Sequence, residues 1–127
     1  MKTIIIDSVE YNLVRVDEVP EPPENILQYI EGKRLEWKAE EPKEMTWNDA
    51  MELYKDNPEG WRLPTRVELL QAYVDGVGGF ASLYYWSSSE HVAGNAWVQV
   101  FLNGDQFDYS KFDSYRVRAV REISNNE

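Results

Sequence analysis

The chain has no cysteine and a single histidine, His91, in 127 residues. Without cysteine there is no disulfide, no thiolate nucleophile, no Cys-ligated zinc and no iron–sulfur cluster. One imidazole leaves almost nothing from which to build a His-rich metal site, so no metal and no cofactor is expected. Positive charge is scarce as well: 13 Lys+Arg against 23 Asp+Glu give a net charge of −10. Nucleic acids and anionic membranes both demand clustered positive charge, which argues against either as a partner. Long apolar runs are missing. The three isoleucines of Met1-Lys2-Thr3-Ile4-Ile5-Ile6-Asp7 are too few for a signal peptide or a membrane span. The expectation is a soluble chain, cytoplasmic or virion-associated.

What is present suffices for one domain over residues 1–127. At 43% hydrophobic and 13% aromatic, a chain of this length buries close to two thirds of its unfolded surface. Charge and aromatics are segregated. Residues 1–60 hold 15 acids and 7 bases, whereas 9 of the 17 aromatics fall between Tyr84 and Tyr115.

Alternation predicts strands over 3–7 and 11–17. Pro20-Glu21-Pro22-Pro23 then breaks the pattern, because proline neither donates to a ladder nor continues a helix. The charged stretch near 20–45 reads as an insertion holding one short helix and one strand. Thr46 is an N-cap candidate with Asp49 three residues on, and Trp47, Ala50, Met51 and Tyr54 share one helical face. Thr65 and Glu68 form a capping box for a second helix. Its expected inner face is Val67, Leu70 and Val74, beside Leu69 and Tyr73; Asp75-Gly76 ends it. Beyond Gly79 the period drops to two. Strands are predicted over 96–102 and 105–110, joined by a tight Asn103-Gly104 turn, and over 115–123. Strands, two helices, then more short strands make an α+β domain.

Four fragments stand in a telling order: Trp61-Arg62-Leu63-Pro64-Thr65, Tyr85-Trp86-Ser87-Ser88-Ser89-Glu90, Ala96-Trp97 and Arg116-Val117-Arg118-Ala119-Val120-Arg121. Together they resemble the C-type-lectin-like domains related to formylglycine-generating enzymes and to the C-terminal domain of Legionella collagen-like protein. Within that family the chain is similar to the variable proteins of diversity-generating retroelements, particularly their small archaeal single-domain members. The resemblance implies a C-type-lectin-like fold with two helices and short, mostly antiparallel strands. It also implies a variable region near 84–121, in which selected surface codons are rewritten at their first two bases. Formylglycine-generating chemistry depends on cysteines and is excluded here.

A codon so rewritten, ending in C or T, cannot encode Trp, Met, Gln, Lys or Glu. The positions aligned with variable sites are Asp105, Phe107, Asp108, Tyr109, Ser110, Phe112, Asp113 and Tyr115, all of allowed types. Tyr84, His91, Val92, Leu102 and Asn103 are additional candidates. Forbidden types fall at Trp86, Glu90, Trp97, Gln99, Gln106 and Lys111, matching the fixed skeleton. Trp61, Trp86 and Trp97 read as core anchors in preference to ligand contacts. Arg116, Arg118 and Arg121 read as cross-strand partners of nearby acids in preference to an anion site. The cluster of Tyr, Phe and short Asp and Ser residues reads either as ordinary strand and loop positions or as paratope chemistry, rigid contact area with adaptable hydrogen bonding. Since Phe107 and Tyr109 alternate with Gln106, Asp108 and Ser110, a bulge or loop is expected there to keep the polar set out of the core.

His91 beside Ser87, Ser88 and Ser89 lacks a Gly-x-Ser-x-Gly elbow, and Asn103-Gly104-Asp105 with Asp108 lacks the alternating ligands of a calcium loop. The expectation is a non-enzymatic binding protein whose diversified C-terminal surface takes a protein or other surface ligand. The alternative is an undiversified lectin-like or structural adhesin domain of a virus or cell surface.

Overall fold

The computed structural model describes residues 25–30 and 32–123. The strands expected over 3–7 and 11–17 lie outside the described residues. The remainder is α+β: two helices and mostly antiparallel strands in three small sheets.

The first sheet overturns the expectation of a short helix in the charged stretch. Strands β1 (Ile26–Ile30) and β2 (Lys33–Trp37) pair antiparallel, and β2 also pairs antiparallel with the last strand, β8 (Val120–Ile123). The reason is alternation. Leu35 and Trp37 are buried while Arg34 and Glu36, which alternate with them, are not, and Glu36 sits opposite Arg121 and accepts from its Nε at 2.8 Å. On the same buried face, opposite Leu35, Gln28 accepts from the Trp37 indole and donates to Asp75, each at 2.7 Å.

Strand β3 (Met45–Thr46) leads into α1 (Trp47–Leu53) and pairs with β7 (Ser114–Tyr115). The Thr46 hydroxyl accepts from the Asp49 amide at 3.3 Å, as its N-cap position predicts. Trp47, Ala50 and Tyr54 face inward, and Met51 stays at the rim. Helix α2 (Arg66–Asp75) has the full capping box of Thr65 and Glu68 and ends at Gly76 in the left-handed region. Its inner stripe is not the expected one. Leu69 and Ala72 are fully buried, whereas Val67 and Val74 are 70% and 66% exposed and Leu70 41%. What fixes the rotation is the bonding of its first turn: Arg62 grips Glu68 at 2.8 Å, and Ser89 Oγ accepts the Arg66 amide at 3.0 Å.

The third sheet is the meander β4 (Tyr84–Glu90), β5 (Asn95–Val100) and β6 (Gln106–Ser110). The β5–β6 turn is longer than a two-residue hairpin: Val100 pairs with Asp105, leaving 101–104 as the loop. Asn103 closes it by accepting the Asp105 amide at 3.0 Å. Gly104, at φ 86°, has a hydrogen where a Cβ would lie 2.6 Å from the Tyr73 ring.

Two clusters form the core. One gathers Trp47, Tyr54, Trp61, Trp86, Val98 and Val117; the other gathers Leu35, Trp37, Leu69, Tyr85 and Val120, with Phe80 stacked on Phe101 at 3.9 Å. The expected strand over 115–123 is broken. Arg116 makes a parallel bridge to Tyr85 of β4, and residues 117–119 then leave the ladder and thread the core, with the Glu41 amide on the Val117 carbonyl and the Lys38 amide on that of Ala119. Among the described residues no helix is long and apolar enough to cross a membrane.

Candidate functional site: a tyrosine face on the meander sheet

Strand pairing decides which side chains share a face. In β5–β6, Ala96 lies opposite Tyr109 and Val98 opposite Phe107, while in β4–β5, Tyr84 lies opposite Val100 and Trp86 opposite Val98. Tyr84, Trp86, Ala96, Val98, Phe107 and Tyr109 therefore project to one side. Trp86, Ala96 and Val98 are fully buried there, and Tyr84 and Phe107, 36% and 43% exposed, continue the same surface outward.

Tyr115 joins this surface from β7. Its ring meets the Trp86 indole edge-on at 5.1 Å. The Tyr84, Tyr109 and Tyr115 centroids are 6.1, 5.8 and 5.4 Å apart pairwise, with interplanar angles of 25°, 16° and 31°. A column of three rings would make one separation about twice the others; three similar separations describe a plate. Phe107 extends it at 5.9 Å from Tyr109. The Tyr115 hydroxyl donates to Asp113 at 3.4 Å. Burial, then the Asp113 charge and the Tyr109 and Tyr84 hydroxyls, push the Tyr115 phenol up to about 12. Burial and the Tyr84 hydroxyl raise Tyr109 as well.

The other face carries Trp97, Gln99, Gln106 and Asp108. Gln99 is fully buried and accepts from Gln106 Nε2 at 2.8 Å; Gln106 also bonds the Arg66 carbonyl at 2.8 Å and takes the Arg66 Nε at 2.9 Å. The Arg66 guanidinium lies 3.5 Å from the Trp97 ring centroid. Toward the rim, Asp108 accepts from Asn95 and pairs with His91 Nδ1, both at 3.0 Å, and these two bonds hold its carboxyl below the usual range.

The expected bulge in β6 is absent: its register with β5 is unbroken over 106–110. Because β6 has a neighbour on one side only among the described residues, its polar side chains reach the rim or bond to α2 without entering the core. The irregularity lies in β4, between Trp86 and Glu90. There Ser87 Oγ donates to the Trp97 carbonyl at 2.7 Å and accepts the Ser89 amide at 3.0 Å. The serine run is a docking bulge for α2.

Of the thirteen candidate positions none is buried. The structure brings together Tyr84, Phe107, Tyr109, Tyr115 and Asp113. Phe112 stands 84% exposed beside them in the β6–β7 turn, its amide on Ser110 Oγ at 3.2 Å. His91 and Asp108 belong to the opposite face. Val92 occupies the β4–β5 turn, and Leu102, Asn103 and Asp105 the β5–β6 loop and its exit. Among the scaffold residues, Trp61 and Trp86 are core, but Trp97 is only half-buried, because β5 turns it toward Arg66. Arg116 and Arg121 pair with Glu40 and Glu36. Arg118 departs from the expected acid pairing: it is 2% exposed and donates to the carbonyls of Lys38 and Gly78. Trp47 is core, as its place on the apolar face of α1 predicts, and Trp37 is a core tryptophan whose only sequence signal is its alternation with Leu35. Among the described residues no three His, Asp or Glu side chains are grouped to hold a metal ion.

Comparison with known protein families finds no match, and comparison with curated proteins finds no significant relative.

Proposed function

We propose that this protein is a non-enzymatic ligand-binding domain of the C-type-lectin-like kind, and that its tyrosine face is the surface diversified by a retroelement. One observation carries the reading: the thirteen candidate variable positions all lie at the surface, while the fixed-skeleton residues are buried or tied to a specific partner. The thirteen rewritable positions are exposed or half-buried. Of the non-rewritable ones, Trp86 and Gln99 are fully buried, Trp97 and Gln106 are locked to Arg66, and Lys111 is pinned between Glu90 and the Trp47 ring. Glu90 is exposed, but it anchors that lysine. The fold assignment is supported by the element order and by β2 and β8 pairing early and late strands. Tyrosine with short aspartate and serine is a composition that binds many ligands at low entropic cost.

The test is a library randomised together at Phe107, Asp108, Tyr109, Phe112, Asp113 and Tyr115, sorted for folded, protease-resistant protein. Phe107, Asp108, Phe112 and Asp113 are expected to accept unrelated residues. Tyr109 and Tyr115, which pack on the Trp86 core cluster, should favour large side chains. Survivors that keep all the parental aromatics would defeat the reading. They would favour the undiversified adhesin-like alternative, whose supporting observation is the mutual packing of Tyr84, Tyr109 and Tyr115. In the coding DNA, a near-identical template repeat beside a reverse transcriptase separates the two.

A further inference from the structure

We propose that the tyrosine plate takes a cationic side chain, Arg or Lys, of a protein partner, held between Asp113 and the hydroxyls of Tyr84, Tyr109 and Tyr115. The proposal rests on the reading of this surface as a contact face and adds the chemistry of what it contacts.

The first argument is charge. Asp105 shares the face of Phe107 and Tyr109, since it lies opposite Val100 as they lie opposite Val98 and Ala96. Asp113 stands at the other end, against Tyr115. Both acids are exposed. Among the described residues no base answers them. Lys111, the nearest in sequence, has its ammonium 2.5 Å from Glu90 and 4.2 Å from the Trp47 ring, with its side chain only 16% exposed. Arg116 is paired with Glu40, and His91 bonds Asp108 on the opposite face. Among the described residues, therefore, the face presents aromatic rings and carboxylates without a compensating cation.

The second argument is geometry. Three near-parallel rings lie in a triangle, and the Tyr115 hydroxyl among them donates to the Asp113 carboxylate. Oxygen acceptors gathered beside π-faces suit a donor-rich cation, which gains charge-assisted hydrogen bonds and the ring quadrupole together. An anionic guest would face two carboxylates and no donor beyond the phenols. Asp113 has one hydroxyl bonded to it at 3.4 Å, a long contact that leaves lone pairs for a guest. Phe112, at 84% exposure, supplies an apolar surface one residue away for the guest's methylene stem.

The experiment titrates the full chain with a labelled twelve-residue Gly-Arg repeat peptide, and with its Gly-Glu counterpart, at low ionic strength. The basic peptide is expected to bind and the acidic one not. Asp113→Asn should weaken binding about tenfold, the loss of one charge-assisted contact. Tyr115→Phe, which keeps the ring, should weaken it about threefold. Glu52→Gln removes one charge from an exposed position on α1 and should change affinity less than about twofold. Equal losses for Asp113→Asn and Glu52→Gln would mean that the peptide senses net charge alone, and the proposal falls. Absence of binding by the basic peptide also overturns it. Either failure leaves the broader reading intact if the randomised library still yields many folded sequences; a library that keeps only parental aromatics removes both.

Discussion

Replacing Trp86 by alanine tests whether the binding face is carried by the core beneath it. Trp86 is fully buried among Trp47, Trp61, Val98 and Val117, and its indole N–H donates to the Met45 carbonyl at 2.9 Å. A tryptophan buries roughly 150–250 Å²; at about 25 cal/mol per Å² the apolar transfer term alone is roughly 4–6 kcal/mol. Partial collapse of the cavity brings the expected cost of Trp86→Ala to about 3–5 kcal/mol. At about 4 °C per kcal/mol for a domain of this size, melting should fall by roughly 12–20 °C. That is a large share of the roughly 5–15 kcal/mol that holds most domains together. Trp86→Phe keeps a ring but strands the Met45 carbonyl, and should cost about 1–2 kcal/mol. Urea denaturation of both variants, followed by far-ultraviolet dichroism, measures the two losses. A loss below about 1 kcal/mol for the alanine variant would refute the reasoning, since a fully enclosed indole cannot be removed so cheaply.

Gly79→Ala should cost about 1–3 kcal/mol, since φ is +88° and the new Cβ would sit 3.0 Å from Arg118 Nη1. Gly76→Ala, at φ +71° with nothing within 4 Å, measures the backbone strain alone; equal losses by chemical denaturation would show that Arg118 yields freely. Alkaline titration is the third test. Burial raises Tyr54 and Tyr85, with their bonds to Glu41 and Glu40 adding to it, and Tyr115 rises from 10.0 to about 12. A phenol whose folded pKa is raised contributes stability fully present below pH 10, lost as pH climbs through the folded value. Native phenolate absorbance should therefore lag that of urea-unfolded protein between about pH 10 and 12; superimposed curves would contradict the packing of these rings.

Local chemistry was the legible part of this sequence. Thr46, Thr65 with Glu68 and Gly76 cap the helices where their residue types predict, because a cap is decided within a few residues. The tertiary choices were not legible. Val67, Leu70 and Val74 outweigh Leu69 and Ala72 in hydrophobicity, yet the helix turns the smaller stripe inward. The bonds from Arg62 and Ser89 that set its rotation come from outside the helix. Charge density hid β1 and β2, although Leu35 and Trp37 alternate correctly. Arg118 reads as an outward strand residue until the chain leaves the ladder at 117–119; its carbonyl partners lie 80 and 40 residues away. At the candidate site the exposed residue types were readable, but the partition of Phe107 and Asp108 to opposite faces needed the register.

That partition explains how one strand can serve both stability and contact. A central strand must bury one face or both, so half its positions or more are committed to packing. Among the described residues strand β6 is flanked on one side only, and its inner commitments are concentrated at Gln106, which joins Gln99 to Arg66. Phe107, Asp108 and Ser110 stand at the surface or the rim without a bulge, leaving the strand straight and its register fixed by β5. The irregular segment lies two strands away, at Ser87–Ser89 in β4, where it locks α2 through the Arg66 amide. Substitutions on the tyrosine side of β6 then act on a backbone whose register is held from the opposite face. The exceptions are Tyr109 and Tyr115, which touch the Trp86 cluster; at these two positions contact chemistry and core packing compete, and tolerance to change should be lowest there.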